Sequence, residues 1–220
     1  MSDIRVVGSR VHTSVTEDRF VSPRALRDGS LVTVDWIQAA IIEGRGHMLQ
    51  LGTEDAPIDS TTSIDDALVW AVVDITEGYS VIPFYAEAAI ATWTTATLIN
   101  MMIEVDNAKV RYSSGGTAFT PLGLRTGTGI PVATQATAYV GTDVTVAAKT
   151  ASGSLEIARP QSIEVNLGDA ADDVPSFVWE PARVPIVDGP GSVLFHLGAA
   201  TADVTAYGNL KWIEYPTEDL

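Results

Sequence analysis

The apolar residues of this chain come in short runs, and each run is stopped by glycine, proline or a carboxylate. HMLQL ends at Gly52, and ALVWAVVDI, residues 67–75, ends at Glu77-Gly78. SVIPFYAEAAIATW spans 80–93, and TLINMMIEV spans 97–105. The runs are rich in Val, Ile, Thr and aromatics, which are stiff at χ1 and weak helix formers but fit a pleated sheet. Their length and their stops predict strands. LVTVDWIQAAI, from Leu31 and closing at Gly44, reads the same way.

The second half continues the pattern. TAYVG and VTVAA alternate, as does SLEIARPQSIEVNL, where Leu155, Ile157, Ile163, Val165 and Leu167 take odd positions and Glu156, Glu164 and Asn166 even ones. Odd-in and even-out is the signature of a half-buried strand. Arg159-Pro160 divides that segment into two short strands or a bulge. PSFVWEP, ARVPIV, SVLFHLGAA and YGNLKWIEYP follow, with a turn at Asp188-Gly189-Pro190-Gly191. Pro83 lies inside a run, which demotes its first half to an edge or a bulge. Residues 112–135, full of Gly, Ser, Thr and Pro, read as a long loop. Two stretches stay open between helix and strand. Ser63 to Trp70 has a capping Ser followed by two acids, and Ala86 to Thr97 is Ala-rich.

Residues 1–30 are mixed polar and read as an extended arm. Residues 31–220 read as one domain, with no linker or repeat inside it. Many short strands with Gly/Pro turns mean a sandwich or a barrel. The fold class expected is all-β: a jelly-roll-like β-sandwich, eight strands in two facing sheets, with an extended N-terminal arm. An immunoglobulin sandwich needs about 100 residues and would leave half the chain without a role.

Charge narrows the function. Lys plus Arg number 13 against 28 Asp plus Glu, a net charge of −15 in 220 residues. Nucleic-acid binding rests on cations neutralising phosphates, so no nucleic-acid partner is expected. An anionic membrane surface is disfavoured on the same ground. There is no Cys, which removes thiol chemistry, disulfides and thiolate zinc sites. No apolar run reaches the roughly 20 residues of a membrane helix. The N-terminus, MSDIRVVGSRVHTS, shows no signal peptide.

His12, His47 and His196 lack the close spacing of metal ligands, so no metal and no cofactor is expected. Glu54-Asp55, Asp65-Asp66, Asp172-Asp173 and Glu218-Asp219 are adjacent acids, which point to opposite faces in a strand and do not pair. GDAADD, from Gly168 to Asp173, departs from the calcium-loop pattern. Glu87 interrupts an apolar strand. On simple alternation it faces outward with Val81, Pro83 and Tyr85, while Ile82, Phe84, Ala86 and Ala88 share the other face. No Gly-x-Ser-x-Gly elbow occurs, and Gly127-Thr128-Gly129 lacks the Lys of a phosphate loop. Of the five tryptophans, Trp93 and Trp179 sit among polar neighbours and are the two expected at an exposed or interface position.

The arm before the first strand, the VIPFYAEA strand at 81–88 and the closing FHLGAATADVTAYGNLKWIEYP together resemble virion structural proteins of bacteriophages. The resemblance is to jelly-roll capsid and capsid-associated, or decoration, proteins. It implies a non-enzymatic subunit that acts by self-assembly, with the homo-oligomer expected to be a trimer. It also implies other virion proteins as partners, and a virion location after synthesis in the host cytoplasm. The acidic balance favours an outer or auxiliary position. Trp93, Trp179, Arg5, Arg10 and Arg19 are the interaction residues this reading selects. A carbohydrate- or receptor-binding β-sandwich using exposed aromatics is the alternative.

Overall fold

The computed structural model describes residues 35–61, 64, 67–94, 96–126, 132–149, 153–158, 162–165, 175–199 and 204–220. The arm at 1–30 and most of the helical turn considered at 63–66 lie outside these residues. The described residues are all-β apart from one short helix, α1 (Trp36–Ile42), and a 3-10 turn at Thr217–Asp219. The strands are β1 (Gly46–Leu51), β2 (Ile58–Asp59), β3 (Leu68–Ile75), β4 (Tyr79–Thr92) and β5 (Thr97–Asp106). Next come β6 (Tyr112–Ser114), β7 (Thr117–Phe119), β8 (Leu122–Gly123), β9 (Thr137–Val146), β10 (Ser154–Ala158) and β11 (Ile163–Val165). The chain closes with β12 (Ser176–Trp179), β13 (Val187–Asp188), β14 (Gly191–Ala199) and β15 (Thr205–Pro216).

Two antiparallel sheets face each other. One runs β12-β4-β15-β1-β8 and the other β10-β5-β14-β3-β9-β6. The pairing is nested. β1 pairs with β15, β3 with β14, β4 with β12, and β5 with β10 and β11. First meets last and second meets next-to-last, as in a long folded ribbon rolled up so that successive strand pairs fall in alternate sheets. That is the jelly-roll arrangement. Between β5 and β10 the chain makes an excursion. Its strand β9 joins the free side of β3, β6 and β7 pair on β9, and β8 crosses to β1. The segment 112–135, expected as a loop, thus carries three short strands, because its Gly and Thr residues pair at sheet edges.

The core lies between the sheets. Leu49, Leu51, Trp70, Phe195, Leu210 and Trp212 are each at most 1% exposed. Burial of one such side chain contributes about 1.5–3 kcal/mol. Trp70 and Phe195 meet edge to face at 5.5 Å. β14 is buried along its whole length, on both faces.

Three local expectations are corrected. Residues 36–42, read as strand, form α1. Ile37, Ala40 and Ile41 recur at helical spacing, and they pack on Ile82, Phe84, Ile213 and Tyr215. The helix stops in a Schellman motif, with Arg45 N–H bonded to Ala40 O, Gly44 N–H to Ile41 O, and Gly44 at φ 84°. Second, alternation through 81–88 breaks at Pro83. The register with β15 shifts there, leaving Phe84 without a partner. The bulge expected from the proline is present and it inverts the phase, so Val81 and Ala86 both face the core while Ile82 faces out beneath α1. Third, Leu155 is 62% exposed although Ile157 and Val165 reach the core; a bulge lies between Glu156 and Ala158. The same segment does form two strands flanking Arg159-Pro160, as expected.

Candidate interaction surfaces

The two outward sheet faces differ. On β5 the core side carries Met101, Ile103 and Val105, so Glu104 and Asp106 point away from the core; Ser192 and His196 on β14 and Asp74 on β3 do likewise. All of these are buried. Asp106 and Ser192 are fully buried, His196 is 1% and Glu104 2% exposed, and Asp74 is 8% exposed. The excursion folds back over them and delivers Arg111, itself 1% exposed. Its Nη1 lies 2.9 Å from Glu104 Oε1 and 3.7 Å from Asp106 Oδ2, while its Nε donates to Ala147 O. The Arg111 amide donates to Asp74 Oδ1 and to Ser192 Oγ, and the Tyr112 amide donates to Asp74 Oδ2. Ser154 Oγ donates to Glu104 Oε1, and His196 Nε2 stands 3.9 Å from Glu104 Oε2. Beside this cluster Val69, Val72, Val144, Val146 and Leu194 pack under Tyr112 and Tyr139, whose rings stack at 3.5 Å. The face is sealed.

Among the described residues, the other sheet is capped by α1 at one end only. Beyond the helix, Tyr85 and Glu87 on β4, Asn209 and Lys211 on β15, and Met48 and Gln50 on β1 stand half-exposed in register. Tyr85 Oη and Asn209 Nδ2 both donate to the Glu87 carboxylate, and Lys211 Nζ lies 4.2 Å above the Tyr85 ring. The hydrogen bond to Glu87 pushes the Tyr85 phenol up to about 12, with burial and the nearby carboxylates adding to it. Glu87 is therefore on the outer face, pinned by neighbours that neutralise its interruption of the strand.

The sheet margins form a third surface. β12 and β8 close one sheet and β10 ends the other. Each exposes one large aliphatic side chain: Val178 at 60%, Leu122 at 46% and Leu155 at 62%. An edge strand offers unpaired backbone groups, and natural sheets usually blunt it with charge. Here the edge strands carry exposed aliphatic groups as well as charge, with Glu156 and Glu164 beside Leu155 and Leu98.

Trp93 and Trp179 are half-buried and pack against the main core. They stand at the ends of β4 and β12, so both flank the β12 margin. Arg5, Arg10 and Arg19 lie outside the described residues, as does His12. His47 opens the HMLQL run and lies buried in β1, 6.1 Å from the Trp212 ring. Burial lowers its imidazole below the ordinary value, partly offset by the Glu214 charge. Among the described residues no group of His, Asp and Glu is arranged to hold a metal ion. No described helix is long and apolar enough to cross a membrane. Reading along the chain does not find the Arg111 cluster. Its one trace is the acids at alternate positions of otherwise apolar strands, in VVDI and MIEVD.

No family model, curated protein or solved structure matches this chain.

Proposed function

We propose that this chain is a non-enzymatic structural subunit, of the phage capsid or capsid-associated type, that works by associating with copies of itself. The observation that carries the reading is the set of sheet edges, unpaired among the described residues, that bear the exposed Val178, Leu122 and Leu155 on a chain of net charge −15. A strongly acidic monomer repels its copies, so large aliphatic groups left at unpaired edges are most useful where a neighbour covers them. The nested pairing of the jelly roll supports the reading as a scaffold common among shell-forming subunits, an argument by analogy. The arm at 1–30, with Arg5, Arg10 and Arg19, is the segment of opposite tendency that a neighbouring acidic body attracts.

Light scattering across a concentration series tests this. A defined oligomer, a trimer by expectation, or a larger closed particle is the supporting result. Val178→Lys with Leu155→Lys then shifts the mass toward monomer at unchanged thermal stability. A monomer at every concentration, alone and with purified particles lacking it, overturns the proposal.

A second reading is a carbohydrate- or receptor-binding module. It draws on the outer face, where Glu87, Asn209 and Gln50 present a carboxylate and amides in one row, with Tyr85 and Lys211 in the next. Loss of glycan-array binding in Asn209→Ala, with folding intact, is the result that would favour it.

A further inference from the structure

Among the described residues, the chain seals the outer face of one sheet with its own excursion and leaves the outer face of the other open beyond α1. Val178 on β12 lies opposite Glu87, and Leu122 on β8 lies opposite Met48. Phe177, Ala86, Ala88 and Leu49 take the core side, so these four point outward. Val178 and Leu122 therefore bound one continuous outward surface rather than two separate edges. Tyr85, Asn209 and Lys211 fill its middle, and α1 stands along its side with Trp36 and Ile42 exposed. Five strands about 4.8 Å apart, with rows of side chains about 6.8 Å apart, give this side a plane of roughly 650 Å² once α1 is included. One partner in a stable interface covers about 800 Å² of accessible surface, so the face has the size of one subunit contact.

Glu87 and Lys211 are diagonal neighbours at its centre: Glu87 is opposite Asn209, and Lys211 is two residues further along β15. Within one chain both are engaged by neutral groups. Tyr85 Oη and Asn209 Nδ2 donate to the Glu87 carboxylate, and Lys211 Nζ rests 4.2 Å from the centre of the Tyr85 ring. The ammonium covers the ring face on which a sugar would stack, so the surface suits a protein better than a glycan. An acid and a base set diagonally on one surface are self-complementary. A half-turn that lays copy on copy sets each acid over the other copy's base. Copies of an acidic body approach most easily where a cation stands among the acids. Lys211 is that cation, with Glu180 just past β12 as a further acid near Tyr85. We propose that this open face is a two-fold contact between copies of the chain, with Glu87 of each copy set against Lys211 of the other and Val178 and Leu122 covered at its margins. The inference rests on the self-association proposed above and adds a symmetry to it: the contact makes dimers, or joins trimers in pairs.

Charge reversal tests the contact, read as mass by light scattering at one protein concentration. Lys211→Glu and Glu87→Lys each set like charges across the half-turn, and each variant alone is expected at half the wild-type mass. An equal mixture of the two variants restores opposite charges at both pairs, and the wild-type mass is expected to return. An oligomeric wild type whose single variants keep its mass overturns the contact and leaves self-association standing. Loss in the single variants without recovery in the mixture overturns the two-fold pairing. A wild type that is monomeric at every concentration overturns self-association and this contact with it. Thermal melts report whether each variant folds. Where Glu87→Lys does not fold, Asn209→Cys supplies the second readout. Asn209 adjoins both Glu87 and Lys211, and the chain has no Cys of its own, so a short bismaleimide links two copies there. A covalent dimer on a denaturing gel supports the contact, and its absence overturns it.

Discussion

The Arg111 guanidinium meets the Glu104 carboxylate at 2.9 Å, with the two side chains only 1% and 3% exposed. Taking such a pair out of water is costly, and removing one partner is costlier than never having had either. Arg111→Met is therefore expected to destabilise the fold by about 3–5 kcal/mol in urea unfolding, by orphaning Glu104 and Asp106. Adding Glu104→Gln to that variant should cost less than Glu104→Gln costs in the wild type, since contacting residues do not act additively. A double variant whose loss equals the sum of the two single losses would show that the pair is not coupled.

Gly208 sets the approach of the two longest paired strands. A Cβ there would lie 2.0 Å from the Glu87 carbonyl oxygen. Gly208→Ala must push β15 off β4, and a loss above about 4 kcal/mol is expected, in the range reserved for backbone collisions and similar faults. Gly78→Ala is the control. Its φ is 86° but nothing lies within 4 Å, so it should cost only about 1–2 kcal/mol for left-handed backbone. Circular dichroism melts of the two variants make the comparison.

His47 gives the fold an acid-sensitive component. Its imidazole is held below the ordinary value by burial, so the unfolded chain binds the proton more readily. The stability it contributes is present above the unfolded value of about 6.5 and is lost as pH falls through the folded one. His47→Phe should unfold less readily than wild type as pH drops below about 6.5, measured as the difference in urea midpoints. A difference independent of pH would show that His47 does not titrate on unfolding.

Tyr85 should be the late-titrating phenol. Its hydrogen bond to Glu87 pushes it up to about 12. Ultraviolet titration in alkali should show a late step that Tyr85→Phe removes and Glu87→Gln moves down.

Much of this fold is legible along the chain, and the failures share a cause. Runs such as 67–75 and 97–105 carry their own signal, because β-branched residues and terminal glycines act within a few positions. α1 was hidden by Val32, Val34 and the Ile residues, whose β propensity outweighed the Ile37-Ala40-Ile41 spacing and the Gly44 stop. Around Pro83, period-two counting fails at the bulge, and every assignment on one side of it inverts. That Trp93 and Trp179 sit part-buried against the core is not visible along the chain, because it depends on how β12 docks on β4, a contact between residues far apart in sequence.

The sequence alone determined the all-β character, the acidic composition and the absence of thiol chemistry. Each of these follows from residue type and local spacing. The tertiary structure decided which strands pair, where bulges shift the phase, and that acids in VVDI and MIEVD are buried beneath Arg111 rather than solvated. Those outcomes depend on long-range pairing and on a guanidinium delivered by a distant turn of the chain, and neither is encoded within any short window of residues.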